Sequence, residues 1–157
     1  MEARSQMNKI SLARGIGVGV IASLVGTIMM DFVIVVEYLM IGQPALTYLD
    51  LIGSIFGGGI PLGALIHVLL GSALGLIFSV PVLTVDALRI DTVRKGMVLG
   101  ILTGVASISA CVPFAILIRE KITTVLIFMT IPHLVWGIGL GIVAGYGMRS
   151  ASAARDK

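Results

Sequence analysis

Charge is scarce in this 157-residue chain: Asp, Glu, Lys and Arg make up 12% of it, against about 25% in soluble domains. So little charge excludes a solvated globular fold. The net charge of +3 is then a basic rim beside anionic headgroups, not a nucleic-acid surface. A single cysteine, Cys111, excludes an internal disulfide framework. Histidine occurs only at His67 and His133. There is no phosphate loop, no HExxH and no Cys-x-x-Cys, and Ser11, Ser23 and Thr27 fall in no nucleophile–base signature. The short alternating segments of a β-barrel are also missing.

Apolar residues fill the space left by charge. They form 57% of the chain, and the mean hydropathy is +1.10. Four apolar segments, at about 15–41, 60–83, 96–118 and 122–148, each meet the ~20 residues needed to cross a bilayer as a helix. The expectation is an all-α membrane protein in which residues 1–157 form a single four-helix transmembrane domain. The first segment exceeds a signal-peptide core and contains Asp31, so it is expected to stay as a signal anchor. The connection at 42–59 is itself apolar around 46–56 and reads as an interfacial or re-entrant segment. Pro61 then suits the first turn of the next helix. The connection at 84–95 carries mixed charge, and 119–121 is a tight charged turn.

Nine of the eleven Lys and Arg residues lie on one side: Arg4, Lys9, Arg14, Arg89, Arg94, Lys95, Arg149, Arg155 and Lys157. Arg119 and Lys121 lie on the other. The positive-inside rule assigns both termini to the cytoplasm of a multi-pass cell-membrane protein.

The chain repeats a phrase. His67-x3-Gly71-x3-Gly75 ends one segment and His133-x3-Gly137-x3-Gly141 another. Ser23-x3-Thr27-x3-Asp31 reappears as Thr103-x3-Ser107-x3-Cys111. Two helix-pair repeats in parallel relation imply a pseudo-twofold bundle, with equivalent helices across its diagonals. Counted at 1.5 Å per residue, Asp31, His67, Cys111 and His133 fall about 22–26 Å from the cytoplasmic surface, in the outer half of the membrane. A carboxylate there costs on the order of 3 kcal/mol, so Asp31 needs a partner, and either histidine could donate to it.

Three readings of this level stay open. It could be a structural polar cluster. His67 and His133 could be axial ligands of haem b, with the glycines leaving a flat surface for the porphyrin. Asp31, His67, Cys111 and His133 could instead hold zinc, copper or another transition metal. Gly71, Gly75, Gly137 and Gly141 have a simpler use, as small-residue stripes that let membrane helices approach closely. Pro113 and Pro132 are expected to kink their helices, Glu37 to reach outward, and Trp136, Tyr38, Tyr48 and Tyr146 to act as interfacial belt residues.

The set Gly19, Ser23, Gly26, Thr27 and Asp31, followed by the two His-x3-Gly-x3-Gly helices, resembles small prokaryotic four-helix integral membrane proteins. The resemblance covers most of the chain and implies a fold but no activity. The leading expectation is a non-enzymatic subunit or accessory protein, packed with other membrane subunits or with itself and embedded in lipid. The alternatives are a haem- or metal-binding electron-transfer subunit, and a small transporter or channel using Asp31.

Overall fold

The computed structural model describes residues 12–153, with side chains for 12–149. Arg4, Lys9, Arg155 and Lys157 of the charge argument, and Ser11, lie outside the described residues. The chain forms α1 (Leu12–Met40), α2 (Thr47–Ile55), α3 (Ile60–Thr84), a 3-10 turn (Asp86–Leu88), α4 (Val93–Ile108), α5 (Cys111–Leu117) and α6 (Ile122–Ala153). Four spans among the described residues are long and apolar enough to cross a membrane: Leu12–Met40, Ile60–Thr84, Val93–Leu117 and Ile122–Arg149. In lipid every backbone polar group must be satisfied within the protein, which is why runs this apolar are helical. This is an all-α, multi-pass membrane protein.

The helix ends follow local chemistry. Gly42 sits at φ 74°. Its N–H bonds the Leu39 carbonyl while that of Gln43 bonds the Tyr38 carbonyl, a Schellman stop for α1. Gly57, at φ 76°, ends α2 with the same pair of bonds. Pro61 stands in the first turn of α3, and the Thr92 hydroxyl caps α4 by accepting the Lys95 N–H. Pro113 interrupts the α-helical hydrogen bonding of the third span, while Ser109 and Ala110 keep right-handed helical dihedrals. The carbonyl of Ser109 that it frees accepts the Val112 N–H at 3.2 Å, and the chain turns between α4 and α5. Pro132, by contrast, is fully buried inside an unbroken α6.

The spans pack in the order α3, α1, α6, α4, with α1 against α6 at the centre. On α6, Trp136, Leu140, Ala144 and Met148 recur every fourth residue and are at most 3% exposed. They meet α1 around Ala22 and Met30. Ser23 joins three helices: its hydroxyl donates to the Gly71 carbonyl of α3, and its carbonyl accepts Trp136 Nε1–H at 3.2 Å. The glycine stripes are used inside the chain. A Cβ on Gly75 would press on the Gly19 carbonyl and Ser23 of α1, and one on Gly137 on the Gly100 carbonyl of α4. Gly71 and Gly141 meet Thr27 and Gly96 in the same way. The result is a ring of four helices with one open seam, because α3 and α4 do not pack on each other as α1 and α6 do.

Candidate functional site

The open seam leads into a half-open cavity of about 440 Å³. Its floor is the α1–α6 contact, through Thr27, Met30 and Trp136, and its sides are α3 and the α4–α5 break. The α2 segment closes one end with Tyr48, Ile52 and Phe56. Leu70 and Leu117, 55% and 61% exposed, stand at its mouth. The lining is almost wholly apolar, so its few polar side chains decide what it can recognise.

Those side chains fall into two groups. In the first, His67 Nε2 lies 2.8 Å from Asp31 Oδ1. An ionised carboxylate only accepts, so the ring donates from Nε2. Tyr48 on α2 stacks edge-on against the His67 ring, with centroids 5.8 Å apart. Burial, and next the Asp31 carboxylate that its hydroxyl hydrogen-bonds, hold the Tyr48 phenol well above its ordinary range. Tyr48 therefore keeps its proton and donates it to Asp31. His67 lines the cavity, whereas Asp31 stands behind it, outside the lining. The carboxylate orients the imidazole and the imidazole faces the space.

In the second group, His133 Nδ1 bonds the Met129 carbonyl at 2.8 Å, one turn back on α6. A carbonyl only accepts, so Nδ1 carries the proton and the neutral ring has a bare Nε2. Cys111 Sγ lies 3.7 Å from that Nε2 and donates its S–H there. The two histidines thus open the same sequence phrase yet have different surroundings.

This geometry corrects the joint ligand set. Asp31, His67, Cys111 and His133 separate into two satisfied pairs, and among the described residues no three His, Cys, Asp or Glu side chains are placed to hold a metal ion. Each histidine Nε2 lies against a side chain of the protein, Asp31 for His67 and Cys111 for His133. The physical reason is local: a carboxylate and a thiol, each one helix away from an imidazole, satisfy it more simply than a shared centre would.

Two further placements differ from the expectations. Trp136 is not a belt residue: it is 1% exposed, at the centre of the molecule. Glu37 is only partly exposed, and its Oε2 is sealed without a hydrogen-bond partner. Tyr48 is the site residue that motif reasoning missed, having been placed among the belt tyrosines. The signal that could have found it was the apolar character of 46–56, which requires that segment to pack on something.

Comparison with protein-family models, curated proteins and solved structures finds no match. The site's own geometry carries the functional reading.

Proposed function

We propose that this protein is a non-enzymatic intramembrane binding protein, which takes a lipophilic molecule from the bilayer into the cavity between α3 and the α4–α5 break. The observation that supports this is the cavity itself: about 440 Å³, apolar, and flanked by two helices that do not close on each other. Under the positive-inside rule the ends bearing Arg14, Arg94, Lys95 and Arg149 face the cytoplasm, so the cavity opens in the outer half of the membrane. A molecule dissolved in lipid would reach it sideways, without crossing water.

Trp136 is the chain's single tryptophan and borders the cavity. In proteoliposomes containing lipids with brominated acyl chains, its fluorescence should be quenched. Ala110→Phe, which fills the cavity from the α4–α5 break, should remove most of that quenching. Fluorescence indifferent to bromine in the wild type would defeat the reading.

The subunit reading draws support from the same seam, which is open to a helix of another chain. Its other support, the glycine-striped faces, is spent on contacts within this chain. A higher-order assembly in mild detergent that quenches Trp136 no further with brominated lipid would favour it.

A further inference from the structure

All but one of the polar hydrogen atoms of the cavity wall are already committed. The Thr27 hydroxyl donates to the Ser23 carbonyl at 3.0 Å and the Ser107 hydroxyl to the Gly104 carbonyl at 2.8 Å. Trp136 Nε1–H is held by the Ser23 carbonyl, and His133 Nδ1–H by that of Met129. Cys111 S–H is directed to His133 Nε2, and Tyr48 O–H to Asp31. Tyr38 at the cavity's edge is the exception, since its hydroxyl has no hydrogen bond among the described residues.

Apart from the Tyr38 hydroxyl at the edge, lone pairs are what the wall has left. With Nε2–H given to Asp31, the neutral form of His67 has a bare Nδ1, and Nδ1 has no partner among the described residues. This is the logic by which a carboxylate fixes an imidazole tautomer and presents the opposite nitrogen as an acceptor. A ligand atom meeting Nδ1 in this apolar space must bring a proton. An ester, ether or ketone oxygen would set lone pair against lone pair and leave both unsatisfied.

We propose that the cavity selects a lipophilic alcohol: a membrane-dissolved molecule with an apolar body and a hydroxyl that donates to His67 Nδ1. Asp31 is the positioning residue, acting through the tautomer it imposes on His67. The inference rests on the binding reading above and names its ligand class.

The test compares dodecan-2-ol with dodecan-2-one, which share a carbon skeleton and differ only in whether the oxygen can donate. Each is added to proteoliposomes containing brominated-chain lipid, and the recovery of Trp136 fluorescence is read against competitor concentration in the membrane. The alcohol is expected to displace the brominated chain at about a tenfold lower concentration, the factor that follows when a buried acceptor keeps rather than loses its partner. His67→Phe should make the two competitors equal. Asp31→Asn should abolish the preference, because the amide no longer fixes the His67 tautomer and an alcohol accepts from an Nδ1–H as a ketone does. Equal displacement in the wild type, with bromine quenching intact, overturns the alcohol class alone. A preference that survives either substitution overturns the role of His67. Absent quenching in the wild type overturns the binding reading and this inference together.

Discussion

Arg119 ends α5 in a backbone conformation that suits glycine. Its φ is 58°, and the N–H groups of Arg119 and Glu120 bond the carbonyls of Ile116 and Ala115, the same stop that Gly42 and Gly57 make. A non-glycine residue in this region costs roughly 1 kcal/mol. Arg119→Gly is therefore expected to raise the thermal midpoint in mild detergent by about 2–4 °C; an unchanged midpoint would mean the arginine side chain offsets the strain. At the same scale, the need of Asp31 for a partner was legible in the sequence, because an isolated carboxylate in lipid is too costly to stand alone. Which histidine would answer was not legible. His67 and His133 sit in identical local phrases, and only the positions of α1 and α5 assign a carboxylate to one and a thiol to the other.

Helices α4 and α6 approach so closely that their backbones touch. A Cβ on Gly100 would meet the Gly137 carbonyl and the Gly141 backbone, whereas one on Gly17 would meet nothing within 4 Å. Gly100→Ala is expected to destabilise the protein by about 1–3 kcal/mol through forced separation of the pair. Gly17→Ala, a substitution of equal chemistry in open space, should be neutral or stabilising by up to ~1 kcal/mol. Parallel thermal melts of the two variants decide this, and similar midpoints would deny the close approach. The glycine stripes themselves were readable as packing faces. Their partners were not, since a stripe records that something comes near without recording what. The interruption at Pro113 was also foreseeable from its missing N–H, and it takes the form of a 3-10-like turn between α4 and α5.

The ring of helices leaves its seam on one side, so the cavity has a direction as well as a volume. Cys111, 8% exposed, lines it from α5. If access runs through the seam from lipid, an apolar maleimide dissolved in the bilayer should label Cys111, and a charged, water-soluble one should leave it intact. Ala110→Phe should slow the apolar reaction several-fold, as followed by mass spectrometry. Comparable labelling by both reagents would show a route from water instead. The free Cys111 thiol thus reports from the side of the cavity on the same opening that Trp136 reports by fluorescence from its floor.

Four apolar segments of sufficient length had to become four helices, because lipid offers no partner to an unpaired backbone group. Local backbone geometry set several boundaries as well: Gly42 ends α1, Gly57 ends α2 and Pro61 opens α3. Those properties are local, and composition alone determined them. The order α3, α1, α6, α4, the division of four polar residues into two pairs, the recruitment of Tyr48 and the opening of a cavity depend on contacts between residues far apart in the chain. Close packing of small residues decided them: where glycine meets glycine the helices close, and where α3 and α4 lack such a meeting the structure stays open.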